Sequence, residues 1–307
     1  MRACRPGSAF IRAVHVSAAY KHQEIKNENH PMGNFRSKRG TEMKTSRMLV
    51  TRSVRSLSAM ALFMIVLLGT SIGASADEAD AKQLLKAMSD YLVAQQAISF
   101  EYDATLEAIT KDGQKLALAS SGTLLLNRPD KIRATRSSGF ADVEMSFDGT
   151  TLTLLGKNLN LYAQQDVPGT VDNLVDELRN HNRPIPAADL LLMDPYEVLM
   201  EDVVDVKDLG SGVIGGVECD YLAFRAKEVD WQIWIAQGER PYPCRYVITS
   251  KFMKGEPQYS IQIRDWKAGA EVAATDFSFK NTTDAEKVDL KKVADELPEH
   301  FKIGEAQ

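Results

Sequence analysis

Residues 98 to 108 alternate strictly between apolar and polar side chains, from Ile98 to Ala108. A period of two puts the apolar residues on one face of an extended strand, which must be covered, and the polar residues on the other. The pair Asp112-Gly113 follows, and this dipeptide is typical of a tight hairpin turn. Residues 116–126 then return as a second strand. The chain is therefore predicted to begin an antiparallel sheet here.

The patterns along the rest of the chain predict more antiparallel strands, with helices before and within the sheet. Strands are expected at residues 131–137, 142–147, 151–155, 160–163, 217–226, 230–236, 245–252, 258–266 and, briefly, 277–279. Helices are expected at 77–96, 171–180, 187–193 and 196–200, with breaks at Pro184, Pro186 and Pro195. The glycine-rich stretch 210–216 precedes a strand and is interpreted as a turn. The predicted fold class is α+β, a single domain with a helical insert in the middle of its sheet.

The N-terminal segment carries the three parts of a secretory signal peptide. Its basic part contains Lys44, Arg47, Arg52 and Arg55, its apolar core is Met60–Leu68, and its small-residue end is Ala74-Ser75-Ala76. We expect a signal peptide over 43–76, cleaved between Ala76 and Asp77. A transmembrane anchor is the alternative, and it is disfavoured because a spanning helix needs about 20 apolar residues.

Residues 1–42 fit no part of that scheme, so either translation starts at Met43 or the signal peptide has an extended polar start. Both leave a mature chain with one domain at 77–281 and a charged tail at 282–307. Residues 77–307 hold 25 Lys and Arg against 39 Asp and Glu, a net charge of −14. Phosphate contacts need a cationic surface, so we expect no nucleic-acid partner. We also expect no stable membrane insertion of the mature chain.

Sequence motifs for catalysis, metal binding or cofactor binding are missing. The mature chain has two histidines, His181 and His300, which lie far apart in sequence. Metal sites usually need several His or Cys ligands at close spacing. There is no phosphate-binding glycine loop, nucleophile elbow or dinucleotide fingerprint. We therefore expect no metal, no cofactor and no enzymatic activity.

Two cysteines remain in the mature chain, Cys219 and Cys244, and an even pair suits a disulfide in an oxidising compartment. The alternative is two separate buried thiols. In a regular meander the two residues would flank the strand around Ala236, about 9–10 Å apart, which is too far to bridge. Pro241 and Pro243 offer a bend that would close this gap.

The strand at 230–235 is apolar on both faces. Trp231, Ile233 and Ile235 share one face, whereas Gln232 and Trp234 share the other. The plain interpretation is that the first set belongs to the core, and the alternative is an aromatic lining for a ligand. Both faces must be covered, as when one meets a helix and the other a cavity.

Several stretches resemble known families. Residues 122–129, Gly-Thr-Leu-Leu-Leu-Asn-Arg-Pro, and 147–152, Phe-Asp-Gly-Thr-Thr-Leu, resemble the LolA/LolB-like lipoprotein-localisation carriers. The second half of the chain resembles a family of predicted periplasmic proteins, domain of unknown function 2092. The resemblance implies a periplasmic half-open antiparallel β-barrel with an N-terminal helix and a helical lid inserted mid-sheet. It also implies that Arg128 latches the lid through backbone carbonyls, and the alternative is a solvated arginine before a turn proline.

A sheet curled around a small insert leaves either a packed core or a cleft, and we expect an apolar cavity under the lid. Its expected lining is Phe100, Tyr102, Leu116, Leu118, Val143, Met145, Phe147, Trp231 and Trp234. The expected lid residues are Leu174, Val175, Leu178, Leu190, Leu191 and Met193. The predicted function is a periplasmic binding protein or carrier for a lipid, a lipoprotein acyl chain or another apolar ligand. The alternatives are a sensor or regulator that binds an envelope protein and, after it, an enzyme with an unrecognised site.

Overall fold

The computed structural model describes residues 73–110, 112–139, 141–181, 185–272 and 274–290. Residues 1–72, with most of the expected signal peptide, and residues 291–307 lie outside this part. The helices are α1 Gly73–Ala94, α2 Val171–Asn180 and α3 Pro195–Met200, with 3-10 turns at Ala188–Leu191 and Gly269–Glu271. The strands are β1 Ala97–Ile109, β2 Lys115–Asn127, β3 Lys131–Ser138, β4 Asp142–Phe147, β5 Thr151–Gly156, β6 Leu161–Asp166, β7 Val203–Ile214, β8 Val217–Ala226, β9 Val229–Ala236, β10 Pro243–Ser250, β11 Gln258–Ala268 and β12 Glu286–Lys287.

All twelve of these strands form one sheet in the order β12-β6-β5-β4-β3-β2-β1-β11-β10-β9-β8-β7. The pairs are antiparallel except β12 with β6, which run in parallel. Two meanders, β1–β6 and β7–β11, are joined because β1 pairs with β11. The strands at the two ends, β7 and β12, each have one neighbour, so the sheet is open. The predicted α+β class, a half-open antiparallel sheet with an N-terminal helix and a helical insert, is confirmed, and the sheet is not closed into a barrel.

One face of the sheet, here called the inner face, is covered by α1 and by the insert Val171–Met200, here called the lid. Residues 182–184 of the lid lie outside the described part. The core under them contains Ile98, Phe100, Leu126, Phe147, Leu152, Leu222, Phe224, Trp231, Ile233 and Tyr246. α1 adds Ala81, Leu85, Met88 and Leu92, which lie on one side of the helix. Removing this apolar surface from water is the main force that holds the helix and the lid on the sheet.

Two boundaries differ from the predictions. α1 begins at Gly73 rather than Asp77, so no acidic residue lies in its first turn. β7 occupies residues predicted as loop and turn, and the actual hairpin turn is Gly215-Gly216, where φ is +60° and +87°. The strand escaped prediction because its pairing with β8 shifts register twice, which interrupts the alternation of apolar and polar residues.

The segment after β11 also differs. Residues 277–279 form no strand; Phe277 is buried and Phe279 packs on Tyr162 with ring centroids 4.9 Å apart. β12 lies instead within the segment 282–307, which is predicted as a charged tail. Beyond it, Val288 and Leu290 pack on a second cluster formed by Ala141, Val143, Leu154 and Ala163. Residues 286–290 are therefore part of the domain rather than of a detached tail.

Candidate functional site

The lid packs on the inner face through one side of α2. Thr170 and Asn173 form a capping box that starts the helix. Leu174, Val175 and Leu178 then recur at helical spacing and are buried in the core. Leu190 and Leu191 of the 3-10 turn join them. Five of the six expected lid residues therefore close the inner face.

Met193 is the exception, and it corrects the prediction. The chain becomes extended after Leu191, so Leu192 takes the inward position and is buried. Met193 is 46% exposed. Its sulfur instead accepts a hydrogen bond from Arg128 Nη1 at 3.3 Å. Met193 therefore belongs to the edge of the lid and not to its core.

Arg128 lies where α1, the end of β2 and the lid meet. Its backbone N–H donates to the Gln96 carbonyl at 2.9 Å, which fixes it beside the end of α1. Nη1 donates to the Leu191 carbonyl at 2.7 Å, and Nη2 to the Leu92 carbonyl at 3.5 Å. Burial lowers the pKa of this guanidinium, and the charge of Asp172 opposes that shift. One buried cation thus ties the lid to the last turn of α1.

A pocket of about 500 Å³ lies beside α2. Strands β5 and β6, with Val167, supply one part of its lining, α2 and His181 a second, and the segment after β12 a third. The lining residues are Leu152, Gln164, Gln165, Val167, Leu174, Glu177, Leu178, His181, Val288, Asp289 and Leu290. Its apolar groups are leucine and valine, and its polar groups are two amides, two carboxylates and an imidazole. The volume falls in the range of small-molecule sites.

The polar groups of the pocket include an interacting pair on α2. His181 Nδ1 lies 2.9 Å from the Glu177 carbonyl oxygen and 3.4 Å from the Glu177 carboxylate. Within the described residues, no three His, Cys, Asp or Glu side chains are grouped to hold a metal ion. The geometry therefore suits a ligand with an apolar body and a polar end.

The nine residues expected to line a cavity do not line this pocket. Phe100, Phe147 and Trp231 are buried in the main core, and Val143 lies in the second cluster. Tyr102, Leu116, Leu118 and Met145 are half-buried. Strand alternation identifies the inner face but not which part of it the lid and α1 fill. The lid residues Leu174 and Leu178 do line the pocket.

Trp234 was expected to line the cavity, but the structure places it on the outer face of the sheet. It lies between the inward-facing Ile233 and Ile235 on β9, and it stacks on Tyr221 with ring centroids 4.2 Å apart. The guanidinium of Arg245 lies 5.6 Å from the Trp234 ring centroid. Trp231 and Trp234 therefore serve opposite faces of β9.

Cys219 and Cys244 meet on that outer face. Both are free thiols, both are buried, and they pack together with Ala236 between their strands. Cys244 is an extra residue in the β9–β10 register, between Pro243 and Arg245. Burial raises the pKa of both thiols; Cys219 Sγ donates to the Val217 carbonyl at 3.4 Å and Cys244 Sγ to the Tyr242 carbonyl at 4.0 Å. The bulge thus brings together two residues that a regular sheet would hold apart.

A buried ion pair inside the lid was not expected. Arg179 at the end of α2 donates to Asp189 in the 3-10 turn, and Asp189 is buried. Burial raises the pKa of Asp189 to about 6, although Arg179 opposes the shift. In the sequence, the only sign of this pair is the carboxylate of Asp189 within the apolar run 187–193. No sequence rule identifies its partner ten residues away across a proline-rich corner.

A family model described as "Predicted periplasmic protein (DUF2092)" matches residues 81–291. No curated protein matches the chain. Among solved structures, the lipoprotein LppX of Mycobacterium tuberculosis is 10% identical, with 66% of this chain and 100% of that chain covered and a TM-score of 0.41. LprF from Mycobacterium bovis is 12% identical, with 66% and 98% covered and a TM-score of 0.40. A LolA superfamily protein from Nitrosomonas europaea is 10% identical, with 65% and 97% covered and a TM-score of 0.31.

Sequence identities and TM-scores this low do not support an inference about activity. No helix in the described part of the chain combines the length and the apolar character that a membrane crossing needs.

Proposed function

The chain belongs to the DUF2092 family of predicted periplasmic proteins, and from that premise we propose that it is a periplasmic binding protein for an apolar ligand, a lipid or an acyl chain. The family description places it in the periplasm. The proposal assigns it a binding role and no reaction.

The observation that carries the proposal is the pocket of about 500 Å³ between α2, β5–β6 and residues 288–290. Leucine and valine side chains make its apolar part, which suits a hydrocarbon segment. Gln165, Glu177 and His181 add polar groups to the lining. The pocket is bounded by the lid, so movement of the lid would change both its size and its access.

The lid is built to move as a unit. It consists of one ten-residue helix, a 3-10 turn and a six-residue helix. Pro186 and Pro195 separate these pieces with stiff corners. Arg128 ties the lid to α1, whereas the Arg179–Asp189 pair joins two pieces of the lid and moves with them. Opening therefore requires the loss of a few specific bonds together with apolar contacts.

The first experiment asks whether a ligand is bound. Protein purified from the periplasm without detergent is extracted with organic solvent, and the extract is analysed by mass spectrometry. We expect stoichiometric lipid, and micromolar binding of a fluorescent fatty-acid analogue after delipidation, about −8 kcal/mol. Absence of both would refute the proposal. Co-purification of an envelope protein without lipid would favour the sensor or regulator instead.

A matched pair of variants tests the place of binding. Gln165→Trp puts an indole into the pocket, whereas Asp166→Trp puts the same group at the exposed neighbouring position of β6, where the side chain points the other way. We expect at least tenfold weaker binding for Gln165→Trp and no change for Asp166→Trp. Equal affinities in the two variants would show that the ligand binds elsewhere.

The role of Arg128 is tested through the dissociation rate. Arg128→Leu removes the hydrogen bonds to Leu191 and Leu92, so we expect at least tenfold faster ligand release and a smaller effect on folding. Arg225→Leu, which removes an exposed partner of Asp230, is the control. A release rate for Arg128→Leu equal to that of the control would contradict the latch.

A further inference from the structure

Several buried polar atoms in the described part of the chain have no hydrogen-bond partner, and two of them belong to large aromatic side chains on the inner face. These two are the indole Nε1 of Trp231 and the hydroxyl of Tyr246. Trp231 is 1% exposed and Tyr246 is 0% exposed. Buried polar groups in folded proteins nearly always have a partner, so two unpaired donors close together need an explanation.

These donors form one patch. Trp231 on β9 pairs with Ile248, and Tyr246 on the adjacent β10 pairs with Ile233, which makes the two aromatic residues diagonal neighbours. Their ring centroids are 5.8 Å apart in an edge-on arrangement. Phe224 stacks on the indole at 3.8 Å and holds it in place.

The patch belongs to the same buried core cluster as the lid residues Leu190 and Leu191. The charge of Asp189, in the 3-10 turn, acts together with burial to raise the pKa of Tyr246. Asp189 itself is engaged by Arg179 and does not accept from the Tyr246 hydroxyl. The lid thus gives neither of the two donors an acceptor.

Tyr102 shows that the fold satisfies such a group where its role is structural. Its hydroxyl, also on the inner face, donates to the Thr135 carbonyl at 2.8 Å. The difference between Tyr102 and Tyr246 therefore does not come from a general lack of acceptors on this face.

We propose that Trp231 Nε1 and the Tyr246 hydroxyl receive an uncharged acceptor of the ligand, an ester or amide carbonyl next to its acyl chain, when the lid is displaced. This inference rests on the proposed binding function. Indole N–H is a donor only, so the patch selects an acceptor. Both donors are uncharged and lie among apolar core side chains, where the desolvation cost of a carboxylate or phosphate favours an uncharged acceptor.

The ligand class is tested with two probes of equal chain length, a pyrene-labelled monoacylglycerol and the corresponding pyrene fatty acid. At pH 7.5 we expect the delipidated wild-type protein to bind the ester at least tenfold more tightly than the ionised acid. Equal affinity for the two probes, or preference for the acid, would overturn the assignment.

The patch itself is tested with Tyr246→Phe. This variant is expected to bind the ester probe five- to tenfold more weakly and a pyrene-labelled alkane unchanged. Its thermal midpoint should stay the same or rise, because the hydroxyl it loses has no partner. Tyr102→Phe is the control: it loses a hydrogen bond to Thr135, so its midpoint should fall while ester binding is kept.

Two outcomes distinguish failure of this inference from failure of the proposed binding function. If the alkane probe binds but Tyr246→Phe binds the ester as wild type does, the donors hold an internal water only and the inference falls while the binding function stands. If no probe binds the wild-type protein, the proposed function fails and this inference fails with it.

Discussion

Gly122 shows how a single residue sets local geometry in β2. The ring of Tyr102, its register partner on β1, crosses over it to reach Thr135 on β3. A Cβ at position 122 would lie 1.9 Å from the Thr135 carbonyl oxygen and 2.7 Å from the Tyr102 ring. Only glycine leaves room for both, which gives a physical reason for the glycine that begins the stretch 122–129.

We therefore predict that Gly122→Ala lowers the free energy of unfolding by about 3 kcal/mol, as overpacking against backbone does. Urea denaturation measures it. Gly139→Ala is the control, because a Cβ there would meet nothing within 4 Å. Similar stabilities for the two variants would contradict the steric argument.

The pair Cys219 and Cys244 gives a second prediction at this scale. The bulge at Cys244 brings the two buried thiols into one cluster, and the periplasm is oxidising. We expect a disulfide in protein isolated from the periplasm, worth about 3 kcal/mol on the chain-entropy model. Thiol counting under denaturing, non-reducing conditions tests it, with Cys244→Ser as the one-thiol reference. Two free thiols per chain would refute the bond.

At the scale of elements, the lid shows which features of the sequence are informative. The helical period of Leu174, Val175 and Leu178 predicts α2 with its bounds and its buried side. The same period says nothing about Asp189, because the partner of a buried charge is set by the corner between α2 and the 3-10 turn. Arg128 is an intermediate case. The family resemblance implies its role as a latch, but its three acceptors are visible only in the structure.

The Arg179–Asp189 pair predicts how stability depends on pH. Burial raises the pKa of Asp189 to about 6 in the folded chain, against about 3.9 in an unfolded one. Between pH 4 and 6, Asp189 holds its proton more tightly in the folded chain than in the unfolded chain. The stability from this group is therefore fully present below about pH 4 and is lost as the pH rises through 6. Two pKa units correspond to about 3 kcal/mol.

Urea unfolding from pH 4 to 7.5 measures this effect as a difference between variants. Asp189→Asn cannot titrate, so the wild-type protein should lose stability relative to it as the pH rises from 4 to 6. Asp176→Asn is the control, because Asp176 is exposed on α2 and lies 3.4 Å from the same Arg179. A pH profile of Asp189→Asn parallel to that of the wild type would contradict the assignment.

At the scale of the molecule, the sheet order follows from local hairpins except at two places. Alternation and turn residues predict nearly every strand of the two meanders, but not that β1 pairs with β11 to join them. That pairing depends on contacts distant in sequence. β12 was missed for a related reason, since a two-residue parallel strand has no pattern of its own. The pocket lies where this unpredicted strand ends, and so its position could not be derived from the sequence.

The last prediction concerns the start of the mature protein. Cleavage between Ala76 and Asp77 would remove none of the core residues of α1, because the first of them is Ala81. It would also place Asp77 and Glu78 in the first turn, where the helix dipole favours acidic side chains. N-terminal sequencing of periplasmic protein should therefore begin at Asp77. Ala76→Leu should block processing, because signal peptidase needs a small residue there, whereas Ser75→Leu should be processed normally. An intact segment 44–70 in a soluble cytoplasmic product would refute export by this signal.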